Sequence, residues 1–133
     1  MFDRAGRLSD HFASPYDNEK AARASNGGAY PPDLSLMVKA RPHGADYVYS
    51  LLTGYESTEP NEDGQYINPY FPGQKISMAP PLIEGAVDYV DGTEASVDRM
   101  AQDIVNFLQW SAEPEMENRK RMGLKVMLFL GFF

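Results

Sequence analysis

The chain has 133 residues and a formal net charge of −7, and it contains no cysteine. Its length leaves room for no more than one domain of ordinary size, and its acidity argues against nucleic acid as a partner, because phosphate binding requires a basic surface. Without cysteine, these residues cannot form a disulfide framework, a thiolate zinc site, an iron–sulfur cluster or a cysteine nucleophile.

Residues 1–16 show no period and are expected to form a loop, without the apolar run of a signal peptide. Asp17 is then placed to cap a short helix that runs to Ser25. The sequence Asn26-Gly27-Gly28 should end this helix, because glycine readily adopts the left-handed conformation that follows a helix C-terminus.

Two more helices are predicted next. Asp33 is placed to cap the first of them, over residues 34–41. A turn at His43-Gly44 should lead into the second, which is expected from Ala45 to Leu52 and to stop at Gly54.

The segment from Tyr55 to Gly92 shows no convincing period and is rich in Pro, Gly, Tyr and Asn. A structureless stretch much beyond about 15 residues is uncommon in a compact domain and is usually functional or disordered. Its aromatic residues argue against ordinary disorder. We therefore expect it to fold against a cofactor, another subunit or both, with Glu56–Gly64 as a polar, mobile tip.

The clearest helix begins after Ser96, which is a suitable N-cap, and Asp98 lies favourably in its first turn. Its apolar residues fall on one face, and core packing explains them. They are Val97, Met100, Ala101, Ile104, Val105 and Leu108.

A last helix is expected after Glu113-Pro114, and it continues into the apolar sequence MGLKVMLFLGFF. Such a stretch spans only about 18 Å as a helix, against about 30 Å for a bilayer core. It has the character of the first half of a transmembrane helix that is cut short. An amphipathic interfacial helix and a buried terminal helix are the alternatives.

Enzymatic motifs are weak in this sequence. The only histidines are His11 and His43, in expected loops, and no G-x-S-x-G, Walker A or G-x-G-x-x-G sequence occurs. The acidic residues concentrate at loop tips and helix starts, where solvation explains them. The isolated chain is therefore not expected to be an enzyme.

The stretch Tyr66–Leu82, YINPYFPGQKISMAPPL, places one methionine in stiff surroundings. Pro80 and Pro81 prevent a helix after Met78, so the chain there should be extended and close to polyproline II. A thioether held out in this way suits haem iron or cuprous copper. The alternative is that Met78 fills a gap in the core.

The sequence NPYFPGQ-x-I-x-MAPPL resembles the cytochrome c1 family, the haem subunit of the respiratory cytochrome bc1 complex. Residues 21–41, 46–55 and 107–125 resemble the same family in the same order. The C-x-x-C-H motif that normally attaches haem in this family lies upstream of these blocks and is absent here. The chain therefore resembles only the C-terminal part of a cytochrome c1.

The resemblance implies a mostly α fold. Residues 1–112 would form the C-terminal part of a cytochrome c-like haem domain with long irregular loops. Residues 113–133 would begin a membrane-anchor helix.

The resemblance also implies a haem site. Met78 would be an axial ligand of the iron in a haem c, whose covalent attachment is expected on a separate, complementary chain carrying C-x-x-C-H. Arg41 and Tyr47 would lie near the haem propionates, although the residues alone also fit a solvated helix-end charge and a core tyrosine. The other residues that match the family's haem pocket are Asn26, Ala29, Pro31, Pro32, Leu51, Leu52, Phe71, Ile76 and Pro81.

The function implied is electron transfer from the Rieske iron–sulfur protein to a soluble, basic cytochrome c, in a quinol–cytochrome c oxidoreductase complex that also contains cytochrome b. A haem-free structural subunit derived from cytochrome c1 is the alternative. The expected location is the mitochondrial inner membrane with the soluble part facing the intermembrane space, or a bacterial plasma membrane with that part on the periplasmic side. The complementary half would come from a split gene or from a cut between the halves.

Overall fold

The computed structural model describes residues 4–133. By its internal contacts the chain forms two compact units, which divide between Pro32 and Asp33. The elements are mostly helices joined by long irregular segments, as the sequence predicts.

The described part of the first unit contains one helix, α1, Glu19–Ser25. Asn18, one residue after the expected Asp17, is its N-cap: the side-chain oxygen accepts a hydrogen bond from the Ala21 N–H at 3.0 Å. Gly27 and Gly28 follow with φ of 60° and 91°, so the predicted left-handed stop is confirmed. Of the loop expected over residues 1–16, residues 4–16 contain no helix or strand, and residues 1–3 lie outside the described part.

The second unit contains four helices and two short strands. Strands β1, Tyr66–Ile67, and β2, Lys75–Ile76, pair antiparallel, with Tyr66 opposite Ile76 and Ile67 opposite Lys75. The helices are α2, Met37–Ala40; α3, Gly44–Thr53; α4, Val97–Ala112; and α5, Met116–Gly131.

Helix α2 is shorter than the predicted range of 34–41. The Asp33 carboxylate accepts hydrogen bonds from the Ser35 N–H at 2.8 Å and from the Ser35 hydroxyl at 2.7 Å. These bonds are of the kind that cap a helix, but the next backbone bond closes a tight turn, from the Met37 N–H to the Leu34 carbonyl at 3.2 Å, and regular helix begins only at Met37.

Helices α2, α3 and α4 pack together around the core of the second unit. Ser96 caps α4 as predicted, by accepting a hydrogen bond from the Arg99 N–H at 3.2 Å. Of the six residues predicted on the apolar face of α4, four are buried and two are partly buried. The main cluster of buried side chains consists of Val38, Val48, Val105, Leu108 and Ala112.

Helix α5 begins two residues after Pro114 and carries no buried side chain. Glu113, the C-cap of α4, forms ion pairs with Lys39 at 3.4 Å and Arg119 at 2.9 Å, so it connects the start of α5 to α2. Within residues 4–133, no helix combines the length and the apolar character needed to cross a membrane.

Candidate functional site

The long segment between α3 and α4 is organised around Asn68, which is completely buried. Its side-chain amide donates to the Leu51 carbonyl at 2.8 Å, and its side-chain oxygen accepts from the Tyr70 N–H at 3.1 Å. Its own backbone N–H donates to the Gln74 carbonyl at 3.0 Å. These bonds fix the turn over residues 68–74 against the last turn of α3.

The same turn joins β1 to β2. Gly73 and Gln74 have φ of 83° and 62°, which lets the chain reverse direction within a few residues. Ile76, in β2, is buried and pairs with Tyr66. The backbone is therefore fixed two residues before Met78.

Met78 lies just beyond β2, and 40% of its surface is exposed. The alternative that its side chain fills a core gap is therefore not supported. Its backbone carbonyl accepts a hydrogen bond from the Tyr55 hydroxyl at 2.9 Å. The thioether is thus carried on a backbone that is held in place, while the side chain itself faces the surface of this unit.

Tyr55 is half-buried, and its ring meets the Tyr66 ring edge to face, with 6.5 Å between ring centroids. Burial, with a smaller contribution from Tyr66, raises the pKa of Tyr55 to about 12. The hydroxyl is therefore protonated throughout the neutral range and donates a hydrogen bond to the Met78 backbone carbonyl. We call Tyr55, Tyr66, Asn68 and Ile76 the Met78 platform.

The predicted pocket residues of the second unit differ in their surroundings. Leu51 and Phe71 are half-buried and adjoin the Met78 platform: the Leu51 carbonyl and the Phe71 N–H both bond to Asn68. Tyr47 and Leu52 instead pack against the core of the three helices. Pro81 is exposed.

Arg41 is exposed between α2 and α3, and its guanidinium donates to the Ala40 carbonyl at 3.1 Å. It is separated along the chain from the Met78 platform by the whole of α3. Within the described part of the chain, no hydrogen bond joins Arg41 to the platform residues.

The other four predicted residues belong to the first unit. The Asn26 side-chain amide donates to the Ala22 carbonyl at 2.7 Å and to the Tyr16 hydroxyl at 3.1 Å, which ties it to the end of α1. Ala29 is half-buried, and Pro31 and Pro32 are exposed.

Sequence reasoning did not single out Asn68 or Tyr55. An Asn-Pro pair is a recognised turn signal, so residues 68–69 could have indicated the turn. Nothing local indicates Tyr55, because its bond to Met78 joins residues that are 23 positions apart.

The donor chemistry of this region offers one soft thioether ligand. Among residues 4–133, no group of three or more His, Cys, Asp or Glu residues could hold a metal ion. An exposed thioether on a fixed backbone fits haem iron as a single axial ligand. Two surface depressions, one between α3 and α4 and one at the α4–α5 junction, include neither Met78 nor any predicted pocket residue.

Comparison with known proteins places the whole sequence in one group. The model of the Cytochrome C1 family matches residues 1–133. Cytochrome c1 of Rhodospirillum rubrum is 51% identical over 150 residues, which cover 98% of this chain and 55% of that protein. The mitochondrial heme protein cytochrome c1 of Neurospora crassa is 57% identical over 129 residues, which cover 94% of this chain and 39% of that protein. The mitochondrial heme protein cytochrome c1 of Saccharomyces cerevisiae is 53% identical over 131 residues, which cover 96% of this chain and 42% of that protein. The chain thus spans about half the length, or less, of these relatives.

Proposed function

Since the chain belongs to the cytochrome c1 family, we propose that it forms part of the haem subunit of a cytochrome bc1 complex. In this role it takes part in electron transfer from the Rieske iron–sulfur protein to a soluble, basic cytochrome c, with cytochrome b as a neighbouring subunit. The chain makes or breaks no substrate bond itself.

Met78 is the proposed axial ligand of a haem c. The observation that carries this proposal is the combination of an exposed thioether with a fixed backbone, which the Tyr55 hydroxyl bonds at 2.9 Å. A haem supplies one-electron redox chemistry when bound, and a methionine ligand raises its potential. The protein's part is to hold the sulfur in place.

Apolar and aromatic side chains are proposed to form part of the haem wall, where they would lower the local dielectric and tune the potential. Leu51 and Phe71 are the best supported, because they adjoin the Met78 platform and keep some exposed surface. Ile76, only 7% exposed, has the least surface to offer. The remaining proposed wall residues are Asn26, Ala29, Pro31, Pro32, Leu52 and Pro81.

Arg41 and Tyr47 are proposed to lie near the propionates. The Arg41 guanidinium is exposed and donates only to a neighbouring carbonyl within the described chain, so donors remain for a carboxylate. Tyr47 is partly buried, beside the core and near the start of α3.

The covalent attachment of the haem is proposed to lie outside these 133 residues, because they contain no cysteine to form a thioether bond. A complementary chain with C-x-x-C-H would supply the cysteines and the histidine ligand. We also propose that residues 1–112 belong to the haem domain and that residues 113–133 begin a membrane anchor. The mitochondrial and bacterial relatives support either an inner mitochondrial membrane or a bacterial plasma membrane as the location.

Replacing Met78 with Leu in the assembled complex tests the proposed ligation. Leucine has a similar volume but no sulfur. The reduction potential should therefore fall by more than the ~59 mV that corresponds to a tenfold change in a one-electron equilibrium. The sulfur-to-iron charge-transfer band of the oxidised protein should disappear.

Met37→Leu is the matched control, because Met37 packs against the helical core and has no proposed role at the haem. It should leave both the band and the potential unchanged. An unaltered band and potential in the Met78→Leu complex would exclude Met78 as the ligand.

A further inference from the structure

Tyr55 makes a contact that connects the start of the long segment after α3 to the backbone at Met78. Tyr55 directly follows Gly54, the C-cap of α3, and its hydroxyl donates a hydrogen bond to the Met78 carbonyl at 2.9 Å. The next residue, Glu56, donates its backbone N–H to the Ile67 carbonyl at 3.2 Å. The Tyr55 backbone is thereby anchored beside β1 while its ring packs against Tyr66.

Few other interactions hold the Met78 backbone. Ile76 is buried in β2, but the two residues after Met78 are Ala79 and Pro80, and a proline has no N–H to donate. Within the part of the chain that the structure describes, the bond from Tyr55 is the only hydrogen bond to Met78. Its loss would therefore release this stretch of backbone beyond β2.

We propose that Tyr55 is a positioning residue that keeps the Met78 sulfur on the haem iron. This inference rests on the proposed function of Met78. A methionine side chain has three rotatable bonds, so a fixed backbone is needed to restrict where its sulfur can lie. Without the hydroxyl, a larger fraction of molecules would have the sulfur detached from the iron.

The test compares complexes assembled with wild-type chain, Tyr55→Phe and Tyr70→Phe, using carbon monoxide as the probe. Carbon monoxide binds ferrous haem only where the sixth position is open, so its binding rate reports detachment of the sulfur. Tyr55→Phe keeps the ring and its contact with Tyr66 but removes the donor. The rate should rise about fivefold, as expected from the loss of one neutral hydrogen bond.

Tyr70→Phe is the control for loss of a hydroxyl from the same segment, because the Tyr70 hydroxyl makes no hydrogen bond within residues 4–133. It should match wild type in carbon monoxide binding, in the charge-transfer band and in potential. In Tyr55→Phe the band should weaken and the potential should fall. If Tyr55→Phe matches wild type in all three measurements, the inference is overturned.

A third variant carries para-aminophenylalanine at position 55, which keeps a donor of similar size but weaker strength. Its rate should lie between those of wild type and Tyr55→Phe. If Tyr55→Phe does not assemble, a rise in this variant above wild type and the Tyr70→Phe control supports the inference, and no rise overturns it.

The Met78→Leu complex separates the two proposals. If it loses the charge-transfer band while Tyr55→Phe behaves as wild type, Met78 is a ligand and only the role of Tyr55 is overturned. If it keeps the band and the potential, Met78 is not a ligand and both proposals fail.

Discussion

Asn68 has no exposed surface and uses both ends of its side-chain amide in hydrogen bonds, to the Leu51 carbonyl and the Tyr70 N–H. Asn68→Asp keeps the shape but replaces the donor with an acceptor that faces a carbonyl oxygen. We expect a loss of about 2–4 kcal/mol in the free energy of unfolding, because a buried acceptor loses its donor and a buried charge is added. Urea unfolding of the haem-loaded protein measures it.

Asn61→Asp is the matched control for that substitution. The Asn61 side chain uses only its oxygen, which accepts from the Asp63 N–H at 3.0 Å and the Gln65 N–H at 2.9 Å. A carboxylate can accept the same bonds, so stability should change little. Equal losses in the two variants would contradict the special role of the Asn68 donor.

Gly54 occupies a position where the ring of Tyr70 leaves no room for a side chain. A Cβ atom there would lie 2.6 Å from Tyr70 Cε2 and 2.5 Å from the Ser50 carbonyl oxygen. Gly54→Ala should therefore destabilise the protein by about 1–3 kcal/mol, as overpacking usually does. A lowered melting temperature would show it. Gly123→Ala, where a Cβ would meet no atom within 4 Å, should be neutral or slightly stabilising.

Two aspartates of helix α4 accept hydrogen bonds from tyrosines elsewhere in the chain. Tyr49, in α3, donates to Asp98, and Tyr89, in the long segment, donates to Asp103 at 2.6 Å. Each hydrogen bond to a carboxylate raises the pKa of its tyrosine above the ordinary value. The stabilisation is therefore complete below pH about 10, where the unfolded tyrosines are still protonated, and is lost as pH rises through the folded pKa values.

The free energy of unfolding should accordingly decrease above pH about 10. The double variant Tyr49→Phe/Tyr89→Phe should be less stable than wild type at pH 8 and should show a shallower alkaline decrease. Denaturant midpoints across the pH series, with Tyr70→Phe as the control, provide the comparison. Parallel pH curves for the double variant and wild type would show that these bonds do not contribute.

The elements with clear end signals could be predicted from the sequence. Ser96 and a helical apolar stripe gave the start and the buried face of α4, while His43-Gly44 and Gly54 placed α3 to within a residue. Helix α2 was predicted too long, because residues 34–37 form a turn, closed by the Met37 N–H and the Leu34 carbonyl, where the apolar spacing predicts a helix.

The candidate site was predictable only in part. The prolines indicated that Met78 lies outside a helix, but the contacts that hold it join Leu51 to Asn68 and Tyr55 to Met78. Such contacts depend on how the long segment folds back on α3. They leave no periodic or neighbouring-residue pattern in the sequence.

For the molecule as a whole, the net charge of −7 favours approach of a basic partner. The exposed residues Glu59, Glu62 and Asp63 concentrate part of that charge at one loop tip. Asp63 pairs with Lys75 at 3.4 Å, which offsets its charge, so Glu59 and Glu62 carry the uncompensated part of the charge at this tip.

Electron transfer to the proposed basic cytochrome c should therefore slow as ionic strength rises, since the screening length is about 8 Å at 0.15 M salt. Glu59→Gln/Glu62→Gln should lower the second-order rate constant at low salt and flatten its salt dependence. Glu115→Gln/Glu117→Gln removes the same charge from the start of α5 and is the control. If the two variants show the same salt dependence, the loop tip is not where the partner approaches.

The same loop tip consists of two small turns. The Ser57 hydroxyl closes one small turn with Glu59, and Asn61 closes another with Gln65, whose carbonyl accepts from the Asn61 N–H at 2.7 Å. Among the described residues, no hydrogen bond joins the first turn to the second, so the bond between Glu59 and Pro60 lies between the two turns, and both of these residues are exposed. Lengthening a surface loop costs only a logarithmic amount of closure entropy. We therefore expect a peptide inserted at this junction to leave both turns and the Met78 platform intact.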